Sequence, residues 1–305
     1  MPRLRRPEAA LIVNPSAGRL SETARAEVVQ AVSDHFDVRI LTTQDRGAGF
    51  DLADGVVKEG CPLVIAFGGD GHVNEVANAA AGTTTAVGLL PGGTMNVFAR
   101  ALGVPVDPME AVVHLQRRAA APARRVPLGK LDDRFFTFAA GCGFDAEAAG
   151  RVERNVTGKR WIGEMFFYWS AFRVLAGSYR RRHPHLRISG EFGEINAAMA
   201  IASNVGPYAY FLGRPVDLTP NVDLEGGLDL FALTSMRLEA LPEYVWKVVL
   251  GGPFSGHRDA RCEHDLEKFE VTSLEPFARH VDGEPLGTST TASFAVVRDA
   301  LRVVA

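Results

Sequence analysis

The sequence LVIAFGGDGH, residues 63–72, joins an apolar run to a turn of three glycines and one aspartate. The run from Leu63 to Phe67 is typical of a strand in a parallel sheet. The glycines after it permit a tight turn and a close approach of the backbone to a ligand. We therefore interpret this turn as a candidate site, with Asp70 as its carboxylate.

The same pattern continues on both sides of this segment, from residue 9 to residue 105. Short apolar or β-branched runs alternate with stretches that carry apolar residues at helical spacing, which indicates parallel βαβ units. The other predicted strands are Ala9 to Val13, Val38 to Thr42 and Ala86 to Leu90. The predicted helices are Glu22 to Phe36 after the N-cap Ser21, Asn74 to Ala81, and Asn96 to Leu102.

From about residue 126 the pattern changes to short strands separated by turn residues. The predicted strands are Arg134 to Ala140, Leu186 to Ser189, Ile195 to Ser203, Leu228 to Thr234, Phe269 to Ser273 and Phe294 to Val297. Two predicted helices, at about 160–175 and 238–250, interrupt them. We expect a mostly antiparallel, β-rich second domain after an N-terminal α/β domain.

Glycine-containing turns follow three of the predicted parallel strands. They read NPSAG (14–18), GGDG (68–71) and PGGTMN (91–96). In an open parallel sheet, ligands bind beyond the carboxyl ends of the strands, where backbone N–H groups can approach phosphate. One such turn is weak evidence, because turns after strands favour glycine anyway. Three at one edge indicate a phosphate site.

These turns differ from two common nucleotide-binding motifs. Neither the G-x-G-x-x-G of dinucleotide folds nor the G-x-x-x-x-G-K-[ST] of P-loops occurs at the first strand. Instead, Asp70 stands where phosphate would be cradled. A carboxylate is useful there if Mg²⁺ mediates the contact, or if it accepts a proton from an attacking hydroxyl. Either role indicates phosphoryl transfer.

An ordered set of motifs resembles the diacylglycerol kinase catalytic family. That family includes bacterial soluble lipid kinases and the sphingosine and ceramide kinases, and it is related more distantly to the NAD kinases. The motifs are NPxxG (14–18), GGDGxxNE (68–75), PxGTxNxFAR (91–100), GFD (143–145) and DGEP (282–285). Because they run in order from residue 14 to residue 285, the resemblance covers nearly the whole chain.

The resemblance implies an ATP-binding α/β domain of the NAD kinase and diacylglycerol kinase type, a C-terminal β-sandwich for the lipid, and a cleft between them. The first domain would span residues 1–125 with a returning strand at about 290–305, and the second residues 126–289. Asp70 and Glu284 would be the catalytic carboxylates, with the choice of base left open. ATP would bind at Asn14, Gly18, Thr42, Gly68, Gly69, Gly71, Gly93, Thr94 and Asn96.

Three positions depart from the family pattern. Val97 stands where aspartate is common, so a proton relay through that carboxylate is lost or rerouted. Glu225-Gly226 replaces an acidic pair associated with a structural Mg²⁺ in some bacterial members, which leaves Glu225 as the candidate metal ligand. His72 replaces a small hydroxylated residue, and a solvent-facing helix cap is favoured over a contact with phosphate.

Three further motif residues have structural alternatives. Asp145 is a candidate contact to the lipid headgroup and equally a helix N-cap. Glu75 fits a helix face, and Arg100 fits a helix C-terminus through the helix dipole.

Residues 151–187 form a basic segment rich in aromatic residues. Eight arginines and one lysine face two glutamates, a net charge of +7 in a chain whose total is -3. Arg180, Arg181 and Arg182 follow the aromatic run from Trp161 to Phe172. We expect this segment to dock on an anionic membrane, with core packing of the aromatic residues as the alternative.

The composition limits the classes of protein that remain. With 305 residues, 47% of them hydrophobic, the chain is a globular protein of about two domains. The negative net charge argues against a nucleic-acid partner. The longest apolar stretch, residues 161–175, carries two charges and is too short to cross a bilayer. No secretory signal is recognisable, so we expect a cytoplasmic protein that is peripheral at the membrane.

Together these features predict an ATP- and Mg²⁺-dependent kinase that phosphorylates a hydroxyl of a membrane lipid. Diacylglycerol is the first candidate acceptor, and a sphingoid base or another lipid alcohol is the second. An NAD kinase is the alternative enzyme. A non-catalytic nucleotide- or membrane-binding module is the other alternative, favoured by Val97 and Gly226. The sequence leaves the oligomeric state open, a homodimer included.

Overall fold

The computed structural model describes residues 6–18, 20–45, 47–143, 185–211, 214–235 and 256–305, with the single residues 146, 243 and 247. The chain forms two compact units. The first contains residues 1–128 and 298–305, and the second contains residues 129–297. The helices predicted at about 160–175 and 238–250 lie outside the described residues, apart from residues 243 and 247. Asp145, Arg180, Arg181 and Arg182 lie outside them as well.

Four parallel strands form the sheet of the first unit. They are β1 (Glu8–Val13), β2 (Asp37–Thr42), β3 (Leu63–Gly68) and β4 (Ala86–Pro91). Their order is β2-β1-β3-β4. Every residue of β3 and β4 is buried, which explains their continuous apolar sequence, because both faces of a parallel sheet are covered. The four predicted strands are confirmed to within one residue at each end.

The helices described in the first unit connect these strands. They are α1 (Glu22–His35), α2 (Ala48–Lys58), α3 (Asp70–Ala80), α4 (Val97–Ala101) and α5 (Pro108–Arg118). The predicted N-cap is confirmed, since Ser21 accepts the N–H of Ala24 at 3.1 Å. α3 begins four residues before its predicted start, because the glycine turn itself supplies the first helical turn. The sequence analysis did not predict α2 and α5.

The second unit contains mostly antiparallel strands. Its strands are β5 (Arg124–Leu131, which begins in the first unit), β6 (Arg134–Phe136), β7 (Ala139–Gly143), β8 (Leu186–Gly190), β9 (Gly193–Ala197), β10 (Met199–Ser203), β11 (Ala209–Phe211), β12 (Arg214–Val216), β13 (Leu228–Leu233), β14 (Ala260–Leu266), β15 (Lys268–Val281) and β16 (Glu284–Val304). Neighbouring antiparallel strands follow the order β14-β13-β10-β7-β15-β16. The predicted α/β and β-rich fold class is confirmed.

Two strands predicted in the second unit are each divided. The segment predicted as Arg134 to Ala140 becomes β6 and β7, because the N–H groups between them donate to the carboxylate of Asp282. The segment predicted as Ile195 to Ser203 becomes β9 and β10, and the N–H of Ala198 between them donates to Leu233 O at 2.9 Å. Non-local hydrogen bonds thus set these strand ends.

The C-terminal end of β16 belongs to the first unit. Arg302, Val303 and Val304 pair in parallel with the beginning of β4. This pairing adds a fifth strand to the described sheet, beside β4. Within the part of the chain that the structure describes, no helix has the length and hydropathy needed to cross a membrane.

We expect Phe294→Ala to lower the free energy of unfolding by about 3–5 kcal/mol, the usual range for a buried phenylalanine. The Phe294 ring is fully buried in the second unit and stacks on Phe269, with the ring centroids 4.6 Å apart. Denaturant unfolding measures the change. Leu274→Ala is the control, because Leu274 is fully exposed, and should change stability by less than about 0.5 kcal/mol. Equal losses for the two variants would contradict this account of the core.

Candidate active site

The carboxyl ends of β1, β3 and β4 carry the three glycine turns. The register pairs Val13 with Phe67 and Gly68 with Pro91. Because these strands are parallel and adjacent, they end at the same edge of the sheet. The turns NPSAG, GGDG and PGGTMN therefore lie side by side in the first unit.

Close backbone contacts hold these turns together. A Cβ atom on Gly18 would lie 1.7 Å from the carbonyl oxygen of Gly92, and one on Gly93 would lie 2.6 Å from Cα of Gly69. The N–H of Gly92 donates to Gly68 O at 2.8 Å. Non-bonded heavy atoms pack best at about 3.5–4.0 Å. Packing between the turns, as well as turn conformation, therefore requires these glycines.

Two asparagines shape the first and third turns. Asn96 has a φ of +48°; its Oδ1 accepts the N–H of Gly93 at 3.0 Å and its Nδ2 donates to Gly93 O at 2.8 Å. The backbone N–H of Asn14 donates to Phe67 O at 3.0 Å, and its Oδ1 accepts the N–H of Ser16 at 3.0 Å. These bonds fix the turn backbones, while contact of either asparagine with a nucleotide stays a prediction.

Asp70 is the first residue of α3 and is half-buried. Gly69 precedes it as the N-cap and makes no side-chain capping bond. A helix N-terminus carries partial positive charge and N–H groups that lack helical partners, so it favours an anion. The backbone here can bind phosphate oxygens, while the carboxylate can bind a metal ion or accept a proton.

The other predicted ATP-site residues of the first unit lie at the same edge. Gly71 is in the first turn of α3, and Thr94 is exposed in the third glycine turn. Thr42 is exposed at the end of β2, opposite Val13. Their positions agree with the predicted site, and their contact with a nucleotide stays a prediction.

His72 does not face solvent, which corrects the predicted helix cap. The residue is 4% exposed, and its Nε2 donates to the carbonyl of Ile12 at 3.0 Å. The ring occupies the space above Gly68, where a Cβ atom would lie 2.7 Å from the imidazole. Burial lowers the pKa of His72. The imidazole therefore packs against the central glycine turn, a role that the sequence analysis missed.

Three more motif residues have structural positions. Glu75 is buried, and its Oε1 accepts the N–H of Gly47 at 2.9 Å, which ties α3 to the start of α2. Arg100 donates from Nε to Met95 O at 2.9 Å, in the turn before α4. Val97 is completely buried. The aspartate common at that position in the family has thus been replaced by a core residue.

Glu284 lies in the second unit, as the half-buried first residue of β16. The hairpin turn before it consists of Asp282 and Gly283, with φ of +48° and +79°. The sequence analysis named Asp282 only as part of the DGEP motif, yet it is buried and accepts hydrogen bonds from the loop between β6 and β7. The catalytic role of Glu284 stays a prediction.

The turn at residues 223–227 was the candidate for a structural Mg²⁺. Glu225 is exposed, and its N–H donates to Asp223 Oδ1 at 3.1 Å. The N–H of Gly227 donates to Asp265 Oδ1 at 2.6 Å. Among the described residues, no group of three or more His, Cys, Asp or Glu could hold a metal ion. Carboxylates of this chain close the turn, and a metal contact of Glu225 stays a prediction.

Comparisons with known proteins identify the family. Residues 8–129 match the profile of the diacylglycerol kinase catalytic domain. The "Probable lipid kinase YegS-like" protein of Pseudomonas fluorescens is 30% identical over 301 residues, which cover 96% of this chain and 94% of that protein. The chain belongs to the diacylglycerol kinase catalytic family.

Two other matches extend this result. The "Probable lipid kinase YegS-like" protein of Chromohalobacter salexigens is 39% identical over 158 residues, half of this chain and 49% of that protein. In that match the chain spans about half the length of its relative. The crystal structure of a diacylglycerol kinase from Bacillus anthracis has a TM-score of 0.74 at 23% identity, with 98% of this chain and 96% of that chain covered. That likeness shows the fold.

The part of the chain that matches the catalytic domain contains the three glycine turns. All three glycine turns of this diacylglycerol kinase family member lie within residues 8–129, the part that matches the catalytic domain. Glu284 and Glu225 lie outside that part. The family match therefore covers the glycine turns of the first unit.

Proposed function

We propose that this protein is an ATP-dependent lipid kinase that transfers the γ-phosphoryl group of ATP to a hydroxyl of a diacylglycerol-type membrane lipid. The observation that carries the proposal is the contact of three glycine turns beside the N-terminus of α3, where Asp70 lies. A helix N-terminus beside glycine turns suits the phosphates of a nucleotide.

The chain's own residues supply binding and orientation. Glycine has no side chain of its own that would hinder the approach of a phosphate to the turn backbone. Asn14 and Asn96 hold the turns in place through the hydrogen bonds described above. Mg²⁺ bound with the nucleotide would neutralise negative charge on the phosphates, and Asp70 is the residue that would hold it. A half-buried carboxylate is an oxygen ligand of the kind that fits such a cation.

Phosphoryl transfer also requires removal of one proton. The acceptor hydroxyl oxygen forms a bond to the γ-phosphorus, the bond from that phosphorus to the bridging oxygen breaks, and ADP leaves. A carboxylate accepts the hydroxyl proton during the attack. Asp70 and Glu284 are the two candidates for this base, the second by its place in the DGE motif.

The acceptor is proposed from the family. Diacylglycerol is named in the description of the matching catalytic domain, and a sphingoid base is the second candidate. Asp145, outside the described residues, is the proposed contact to the headgroup. An ionised carboxylate there would favour an ammonium-bearing lipid, whereas a neutral diol offers hydroxyl hydrogen bonds.

Incubation with γ-labelled ATP and Mg²⁺ tests the proposed reaction. Separate reactions contain vesicles with diacylglycerol, vesicles with a sphingoid base, and NAD without vesicles, and the labelled product of each is identified. We expect label in phosphorylated diacylglycerol. Label in the sphingoid base alone would overturn the acceptor, and label in NAD alone would favour an NAD kinase. ATP binding without any labelled product would favour the non-catalytic module.

We also propose that the protein docks on anionic membranes through Arg180, Arg181 and Arg182. Replacing all three with Gln should weaken cosedimentation with anionic vesicles strongly at low salt and little at high salt. Each basic residue near such a surface contributes about 1 kcal/mol, and salt screens it. The control replaces the exposed Arg117, Arg124 and Arg125, an equal loss of charge. Equal binding by the two triple variants at low salt would overturn the assignment.

A further inference from the structure

The turn of the hairpin that carries Glu284 contains a buried aspartate, Asp282. Asp282 and Gly283 form this turn, both with φ in the left-handed region, as a two-residue type I′ hairpin requires. Val281 pairs with Glu284 across the turn. The backbone of Asp282 and Gly283 therefore sets the position from which Glu284 projects.

The side chain of Asp282 has a role that the turn alone does not require. It is 6% exposed, and its Oδ2 accepts the N–H and the hydroxyl of Thr137, both at 2.7 Å. Its Oδ1 accepts the N–H groups of Phe138 and Ala139 at 3.0 Å each. Both oxygens are thus bonded to the loop between β6 and β7, and the Asp282 N–H donates to Ala139 O at 2.7 Å.

The loop that binds Asp282 is itself held by a buried residue. Asn204, 1% exposed, donates from Nδ2 to Thr137 O at 3.0 Å. Its backbone N–H donates to Phe138 O at 2.8 Å. A carboxylate that accepts four hydrogen bonds from a fixed loop has little freedom to move. These bonds therefore anchor the hairpin to the interior of the second unit.

A second buried side chain bonds to the same turn. His280 is 1% exposed, and its Nδ1 accepts the N–H of Gly283 at 3.3 Å. This bond fixes the peptide between Asp282 and Gly283, and Gly283 directly precedes Glu284 at the start of β16. The two buried polar residues thus hold the turn from both of its central positions.

A positive φ at an aspartate does not require that its side chain be buried. Asp265 also has a positive φ, of +56°, and its carboxylate also accepts a backbone N–H, that of Gly227, yet the residue is exposed. Burial of a carboxylate is costly unless hydrogen bonds compensate. Burial raises the pKa of Asp282, while its bonds to Thr137, Phe138 and Ala139 lower it. The four hydrogen bonds to the Asp282 carboxylate offset the cost of burying it, and they fix the position of the hairpin.

We propose that Asp282, together with His280, is a positioning residue that holds Glu284 in its reactive place. This rests on the proposed function of Glu284. Asp282 does not touch the substrates; it acts through the backbone of the residue two positions later. Because a displacement of about 1 Å at a catalytic group can reduce a rate about 100-fold, loss of the anchor should affect turnover far more than nucleotide binding.

Asp282→Asn tests the proposal, since an amide nitrogen would face backbone donors. We expect kcat to fall about 10- to 100-fold with the KM for ATP within about twofold. On the Glu284→Gln background the same substitution should cause almost no further loss, because coupled residues are not additive. The matched control, Asp265→Asn, should leave kcat within about twofold. An equal loss of kcat on both backgrounds would overturn positioning.

Hydrogen exchange separates this proposal from the proposed function. If the wild type transfers no phosphate to lipid, the lipid kinase assignment fails, and the anchor is still read from the amides of Gly283, Glu284 and Leu286. These should exchange faster in Asp282→Asn than in the wild type and Asp265→Asn. Unchanged exchange would overturn the anchor. If Asp282→Asn does not fold, Thr137→Val removes the hydroxyl bond alone and should show the same changes at smaller size; its absence of effect would also overturn the anchor.

Discussion

Asp70→Asn is expected to lower the kcat of phosphoryl transfer by about 10²–10⁴-fold, the range for loss of a general base. A larger loss is expected if Asp70 also holds the metal bound with the nucleotide. The residue lies at the first position of α3, half-buried, beside the three glycine turns. Asparagine has nearly the same shape and removes the charge.

The fold of the Asp70→Asn variant should be intact, because the side chain lies at a turn and outside the hydrophobic core. Asp107→Asn is the matched control: Asp107 caps α5 in the same unit, and asparagine caps helices about as well. Its kcat should stay within about twofold of the wild type. The measurements are kcat, the KM for ATP and a thermal melt. More than about a tenth of wild-type activity in Asp70→Asn would remove Asp70 from the mechanism.

The edge of the sheet that carries the candidate site could be predicted from sequence. β1, β3 and β4 are short apolar runs that each end in a glycine-containing turn, and parallel strands have their carboxyl ends at one edge. Local composition and one topological rule were therefore sufficient. The contact of Gly18 with Gly92 could not be predicted in this way, because it depends on the distance between two turns.

The burial of His72 could not be predicted from that residue and its sequence neighbours alone. A histidine near a helix N-terminus is polar, and its sequence neighbours do not show a space for the ring. That space exists because Gly68 and Gly49 have no Cβ atoms, which would lie within 3 Å of the imidazole. Burial of His72 is therefore a property of three residues from separate elements, with Ile12 supplying the acceptor.

The two missed helices have different explanations. α2 contains two glycines in its eleven residues, and glycine weakens the helical signal by about 1 kcal/mol each. α5 has a clear start, with Asp107 as N-cap and Pro108 at the first position, and buried Ala111, Val112 and Leu115 at helical spacing. This second helix was available from the sequence by the ordinary start signals.

The hydrogen bonds by which Asp282 anchors the Glu284 hairpin could not be predicted from the sequence. Asp-Gly in a sequence is a hairpin signal, but that signal does not show whether the aspartate side chain is buried. Asp282 meets the N–H groups of a loop 143–145 residues earlier in the chain. Such a partner follows from tertiary structure, which sequence patterns do not specify.

Gly18→Ala is expected to raise the KM for ATP by about 10- to 100-fold. The new Cβ would lie 1.7 Å from the carbonyl oxygen of Gly92, and no side-chain rotation can relieve a clash between a Cβ and a backbone atom. The first and third glycine turns must therefore move apart. At about 1.4 kcal/mol per tenfold change, the expected loss corresponds to about 1.4–2.8 kcal/mol of binding free energy, if KM follows the dissociation constant.

The control for this prediction separates the clash from backbone strain. Gly18 has a φ of +69°, so alanine there is also strained. Gly60 has a φ of +83° in the same unit, and a Cβ on it would meet nothing within 4 Å. Gly60→Ala should therefore lower the melting temperature and leave the KM for ATP within about twofold. If the two variants had the same KM, contact between the turns would be unnecessary for nucleotide binding, and the site would have to lie elsewhere on the first unit.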